Sequence, residues 1–412
     1  MKARIIGAAV LVAVLAVAVS TATGATKRSN ASITVWLQVD AQSGWPGVVA
    51  AANAAFQKQH PGVTVNVQYQ TWPTHLAKFD ATLAGGNAPD VIEMGNTEMT
   101  KYMAAGAFQD LSSAKSSFDN ANSWLAGLAA SGRYNGKLYG VPYYAGSRVV
   151  TYRTDQFKQA GIRGTPNSLS QFTADVGKLN KKFGKQGYSA VYIAGTDWYS
   201  AMGFVYDYGG KIATQVSGKW KGLLESPKSI AGLTAFKNFF LASSKASKTT
   251  DEIHPNPYSV YADGNAGSMI GPGWFSCCVG DKYKGTTAQF VMPSHVAGKP
   301  MPGFLGGSDL AVPVGGNKAL AVDWIAAFTS TSAQRGLQAV GNIPNTTSLL
   351  NTAKVNERAA LRSWFVPAAK NWVNVENGNI LRTMLAAILT NKLSVKQAAA
   401  AASDNITYTL NQ

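Results

Sequence analysis

Aromatic side chains beside Gly, Pro or polar residues, off any helical period, are the feature of this chain that suggests a binding chemistry. Trp45, Trp72, Tyr143, Tyr144, Trp198 and Trp274 are of that kind. A Trp or Tyr face stacks on the apolar face of a pyranose, while Asp, Asn, Gln and Arg bond its hydroxyls, so a carbohydrate site needs both sets. Gly271-Pro272-Gly273 forms a sharp turn from which the Trp274 ring can be presented to a cleft. Polar partners stand at strand ends: Asp40 and Gln42 after the first apolar run, Asn96 after Gly95, and Gly307, Ser308 and Asp309, where small residues let backbone N–H groups approach a ligand. Arg382 shares a helix with Ile380, Met384 and Ile388 and reads either as a solvated face residue or as a clamp. Core packing and turn chemistry are the plainer readings of each.

Bond-making chemistry is poorly represented. The four His, His60, His75, His254 and His295, include no pair at the spacing that places two imidazoles on one metal. Gly187-Tyr188-Ser189-Ala190-Val191 lacks the closing Gly of a nucleophile elbow. No phosphate loop and no GxGxxG follows the first strand. No catalytic residue, metal or cofactor is therefore assigned. Only six of the 21 acids are Glu, yet a glycoside hydrolase needs just two well-placed carboxyls. A secreted carbohydrate-active hydrolase is thus one alternative, and a binder of a peptide or anionic ligand another. Cys277 and Cys278 are the two cysteines and are adjacent; they cannot staple distant segments, and two buried thiols are expected rather than a vicinal disulfide.

The elements that position these residues alternate. Ile33 to Asp40 reads as a buried strand and Gly47 to His60 as a helix with Val49, Ala52 and Phe56 on one face, stopped by Pro61-Gly62. Val63, Val65, Val67 and Tyr69 keep period two; a helix carrying Leu76, Phe79 and Leu83 follows, then a strand from Val91 to Met94. Such βαβαβ alternation predicts a parallel, doubly wound sheet that binds ligand beyond the carboxyl ends of its strands. The loops at 40–46, 70–74 and 95–98 then share one rim. Asn135-Gly136 predicts a hairpin, and a second unit begins near Val149 with a helix marked by a Ser168–Gln171 capping box. Strand Leu310 to Val314, helix Ala319 to Phe328 and a helical tail complete the chain. With no long linker, the crossings between units should act as hinges.

At 412 residues and 46% apolar content the chain should fold as two or three domains. Charged residues are only 14%, which suits neutral polar ligands. The net charge of +16 is spread along the chain and partly spent in the leader, so nucleic acid is not the expected partner. Lys2 and Arg4, an apolar stretch from Ile5 to Val19 and small residues at 22–25 read as an export signal over residues 1–28. The stretch is shorter than the ~20 residues that span a bilayer. The protein is thus expected outside the cytoplasm, at the extracellular face of the membrane, in the cell wall or in the periplasm.

Taken in order, ITVW at 33, LAGGNAPDVIEMGN at 83, YNGKLYGVPYYAGSRVVTY at 134, MIGPGW at 269 and GFLGGSDLAVP at 303 resemble the extracellular solute-binding proteins of the maltose-binding type, which feed sugar ABC importers. The resemblance spans nearly all of the chain after the leader. Arg153 departs from it, since such proteins more usually carry Asn or Asp there, as does the absence of a lipobox Cys. It implies a periplasmic-binding-protein-like α/β fold of two doubly wound lobes with a ligand cleft: 29–143 plus 296–330, and 144–295 plus 331–412. It also implies a neutral oligosaccharide ligand, permease subunits as partners, a monomeric state, and cleft positions at Asp40, Gln42, Trp72, Asn96, Tyr144, Trp198, Trp274, Gly307, Ser308, Asp309 and Arg382.

Overall fold

A largely buried strand, β1 (Ser32–Gln38), opens the computed structural model, which describes residues 31–412; the leader over residues 1–28 lies outside the described residues, as does the side chain of Cys277. A short helix α1 (Val39–Gly44) leads into α2 (Pro46–Gln59), whose Pro sits where a helix needs no N–H and whose Val49, Ala52 and Phe56 face inward. Gly62, at φ +87°, turns the chain into β2 (Thr64–Gln70). Then come α3 (His75–Ala84), β3 (Val91–Gly95) and α4 (Met99–Ala104). The hairpin expected at Asn135-Gly136 is present, with both residues at positive φ.

The next strand decides the architecture. β4 (Gly140–Arg153) is fourteen residues long. It is followed by α5 (Leu169–Phe183), α6 (Trp198–Asp207), α7 (Pro227–Ser243), β5 (Ser268–Pro272), β6 (Thr287–Phe290) and β7 (Gly303–Ala311). Last come α8 (Lys318–Phe328), α9 (Thr331–Ala339), β8 (Ser363–Trp364), α10 (Trp372–Asn377), α11 (Ile380–Leu389) and α12 (Val395–Leu410). At α5 the Ser168 hydroxyl accepts from Gln171 N–H, but the Gln171 side chain returns to Asn167 N–H, so the expected capping box is shifted by one residue.

The main sheet runs β6-β4-β7-β3-β1-β2, with β8 beside β7 and β5 beside β4. Its parallel pairings join β2, β1 and β3 and, at the other end, β8 to β7; β7 is antiparallel to both β3 and β4. The sheet is therefore mixed rather than parallel throughout, because β4 and β7 thread between two cores instead of closing a crossover helix. The first half of β4 pairs with β7, and the second, from Arg148, pairs with β5 and β6. One core gathers Ile33, Val35, Leu37, Phe56, Leu310, Trp324 and Phe328. The other gathers Phe172, Phe204, Phe236, Leu385 and Ile406. α9 packs on α2, and Leu337 belongs to the first core. Truncating a ring such as Phe56 would cost about 3–5 kcal/mol.

Candidate functional site

Where β4 and β7 pass from one core to the other, a cavity of about 220 Å³ lies between the cores. Trp72, at the end of β2, walls it from one side, and Trp274 and Tyr199 from the other. Tyr144, Arg148 and Phe304 line it from the crossing strands. Gly146, Ser147 and Gly306 to Ser308 form the floor, with Pro272 and Asn342 at the margin. Gly307, at φ +155°, lets the crossing strands touch: a Cβ there would lie 2.1 Å from the Tyr144 carbonyl oxygen. That glycine allows the strand-to-strand approach and also lines the cavity.

Each wall residue has a local cause. Trp72 donates its indole N–H to Asp40 Oδ2 at 2.7 Å, so Asp40, at the first turn of α1, orients the ring without lining the cavity. Tyr144 rests edge-on against Trp45, with centroids 5.2 Å apart, and burial holds its phenol well above the usual range. Arg148 lies over the Tyr199 ring at 4.9 Å and donates to Asp197 Oδ2 at 3.3 Å. Asp197 also caps α6 through Ser200. The charged residue of the wall is thus already neutralised within the protein.

Of the expected site residues, Trp72, Tyr144, Trp274, Gly307 and Ser308 line this cavity, and the others do not. Trp198 is 3% exposed, packed among Trp364 and Trp372, and stacks 3.9 Å behind Tyr199. The helix turns about 100° per residue, so the neighbour of the expected ring faces the cleft instead. Asn96 is buried and donates to Leu305 O at 3.0 Å, pinning β3 to β7. Asp309 is fully buried, accepts from Ser131 Oγ at 2.7 Å, and is pushed up by burial to about 7. Arg382 forms a two-pronged pair with Glu252, both contacts at 2.6 Å. Gln42 is exposed on α1, away from the cavity wall. Missed in the sequence were Tyr199, Arg148, Phe304 and Asn342; Tyr199 and Arg148 carried a signal, one as the second ring of Asp197-Trp198-Tyr199 and the other in the crossing strand's motif.

Beneath the floor lies Glu93, 1% exposed, whose Oε2 accepts from Gln38 N–H at 2.9 Å. Burial, with the Asp40 charge adding to it, raises its carboxyl to about 7 against the opposing pull of the Gln38 N–H. The Ser308 hydroxyl stands near both Glu93 and Tyr144 but outside hydrogen-bond geometry. Cys278, beyond the Trp274 turn, is disulfide-bonded, which corrects the expectation of thiols. Among the described residues no group of three or more His, Cys, Asp or Glu is placed to hold a metal ion, and no helix is long and apolar enough to cross a membrane.

A cleft between two α/β cores, crossed by two strands, is the frame of a binding protein. Residues 51–363 match the family model described as bacterial extracellular solute-binding protein. The chain belongs to that family. Members are non-catalytic binding components. This solute-binding protein is 31% identical over 383 residues to the diacetylchitobiose binding protein DasA of Streptomyces coelicolor, covering 90% of this chain and 88% of that one. In solved structures its fold recurs in the sugar-binding protein MalE from Xanthomonas citri, with TM-score 0.78, 17% identity, and coverage of 92% of this chain and 97% of that one. It recurs also in UgpB from Mycobacterium tuberculosis in complex with glycerophosphocholine, with TM-score 0.72, 20% identity, and coverage of 92% and 98%. The solute-binding protein thus has the mixed α/β periplasmic-binding-protein fold.

Proposed function

We propose that this chain captures a short neutral oligosaccharide outside the cytoplasm, at the membrane face, cell wall or periplasm, and delivers it as a monomer to the permease of an ABC importer. The observation that carries this is the cavity's make-up: Trp72, Trp274 and Tyr199 face a floor of small residues, and its one cation is already paired. Rings without free charge suit a sugar better than an anion. At about 220 Å³ the space is below the ~300 Å³ of a drug-sized pocket, so a di- or trisaccharide would fill it and extend into the opening between the cores. A relative at 31% identity that binds diacetylchitobiose puts chito-oligosaccharides first in a screen. UgpB shows why the fold alone does not choose the ligand.

In this reading the two cores are lobes, and ligand favours their closed arrangement by bonding both. Two observations favour crossings later than 296 and 330. Phe304 packs in the second core while Leu305 does not, and α9 stays with the first core. The second crossing then lies at 303–305 and the third after residue 349.

Thermal unfolding and calorimetry against chito-, cello-, xylo- and malto-oligosaccharides, with glycerophosphocholine as the charged control, test the proposal. A saccharide should raise the melting temperature, be recovered intact, bind with little dependence on salt, and compact the protein in solution scattering. Binding of the phosphodiester alone, or cleavage of the sugar, would overturn it.

A further inference from the structure

Trp72 sits in the exposed turn Thr71-Trp72-Pro73-Thr74, where a large ring would ordinarily be loose. It is held from two directions. Its indole N–H reaches Asp40, as described, and its carbonyl oxygen lies 2.8 Å from His75 Nδ1. The indole and the imidazole meet edge-on, with centroids 5.2 Å apart at 87°. His75 Nε2 in turn lies 2.9 Å from Glu98 Oε2, and the same oxygen accepts the Gly95 N–H at 2.8 Å. His75 is 1% exposed, so water cannot replace either partner. The group is closed by Gly95, where a Cβ would lie 2.9 Å from Glu98 Oε2 and 3.4 Å from the Trp72 ring.

Both oxygens that face His75, a carbonyl and a carboxylate, only accept. A neutral imidazole carries one N–H and satisfies one of them; the imidazolium satisfies both. We propose that His75 is a positioning residue for ligand binding: its imidazolium ties the Trp72 carbonyl to Glu98, fixes the indole as a stacking platform, and lets it go on deprotonation. This rests on the reading of the cavity as a saccharide site. Burial alone would lower the His75 pKa, but the hydrogen bond and charge of Glu98, with the Trp72 carbonyl, raise it by more. The bridging form is therefore complete below the ordinary pKa of about 6.5 and is lost as pH rises through the elevated one. Glu93 on β3 also faces the imidazole, while Tyr102 on α4 and Glu376 on α10 face Glu98. Glu93, raised to about 7, gains charge over the same range and so pushes the loss of the His75 proton upward.

The test measures the dissociation constant of the tightest saccharide from pH 5.5 to 9 in wild type, His75→Gln and Glu98→Gln. In parallel, fluorine NMR of fluorotryptophan-labelled protein follows Trp72 without ligand, its resonance assigned by its loss in Trp72→Phe. Wild-type affinity should fall about tenfold over the range, the worth of one hydrogen bond to a charged group. His75→Gln should be weaker by a similar factor at pH 6 and flat with pH. Glu98→Gln should move the midpoint down, and it decides the matter should the His75 variant fail to fold. The Trp72 resonance should titrate with the wild-type midpoint and lose that titration in His75→Gln. A flat wild-type profile, an unaltered slope in His75→Gln, or a Trp72 resonance indifferent to pH would each overturn the proposal. Were no saccharide to bind, the reading of the cavity would fail while the resonance still decided the role of His75.

Discussion

The two tryptophans that face each other across the cavity are held in opposite ways. Trp72 is anchored by Asp40 and His75, residues of α1 and α3, and is 36% exposed. Trp274 follows β5 on the short turn Gly273–Cys278, is 52% exposed, and has rings for neighbours: Phe275 at 4.7 Å edge-on and Tyr258 at 6.3 Å. A ring already fixed has little freedom left to lose when ligand arrives, whereas a ring leaning on other rings must be ordered at that moment. One wall therefore sets the orientation of a ligand, and the other adapts to it.

The largest expected effect separates the two walls directly. Trp72→Ala should weaken saccharide binding by about 2–3 kcal/mol and Trp274→Ala by about 1–2 kcal/mol, since the pre-ordered ring returns more of its stacking energy. Titration calorimetry on both variants checks this. An equal loss, or the reverse order, would break the distinction between a rigid and an adaptable wall.

That asymmetry was only half legible in the sequence. Period-two and helical spacing correctly marked β1, β2, β3, α2 and α3, because one-sided burial writes itself into local pattern. The sharp turn expected at Gly271-Pro272-Gly273 is instead the paired end of β5 running straight into the short helix Gly273–Cys278 that carries Trp274. Nothing local distinguishes Trp198 from Tyr199, which differ by one helical step, nor shows that His75 lies against Glu98, 23 residues away. The antiparallel pairing of β7 with β3 joins residues more than two hundred positions apart and leaves no periodic trace. Asn96 follows the end of β3, where ligand groups belong by topology, and Asp309 was expected beside it, but Asp309 lies within β7 and the crossing strands bury both.

The floor beneath the anchored wall offers the next effect. With a folded value near 7 against an ordinary 3.8, Asp309 keeps its proton in the folded state where the unfolded chain has lost it. Its contribution to stability is complete below about pH 4 and is lost as pH rises through about 7. Glu93 behaves in the same sense. Wild type should therefore unfold more easily at pH 8 than at pH 5, and Asp309→Asn, which keeps an acceptor for Ser131, should be more stable than wild type at pH 8 by about 1–2 kcal/mol. Thermal melts at the two pH values check both. A variant less stable at pH 8 would mean that the charge of Asp309, not its size, holds the floor.

The smallest effect falls on the flank of the adaptable wall. Arg382 on α11 grips Glu252 through both prongs, with 26% of its side chain exposed, and this pair ties the loop before Pro257 to the helix. Partly exposed pairs contribute little, so Arg382→Gln should cost about 0.5–1 kcal/mol of stability. Its guanidinium is absent from the cavity wall, so the dissociation constant for saccharide should change less than about twofold. Calorimetry on this variant sharpens the comparison of walls. A tenfold weakening would mean that Arg382 leaves Glu252 for the ligand on closure, and that the adaptable wall recruits a polar group from its flank, whereas the anchored wall keeps Asp40 on its own ring.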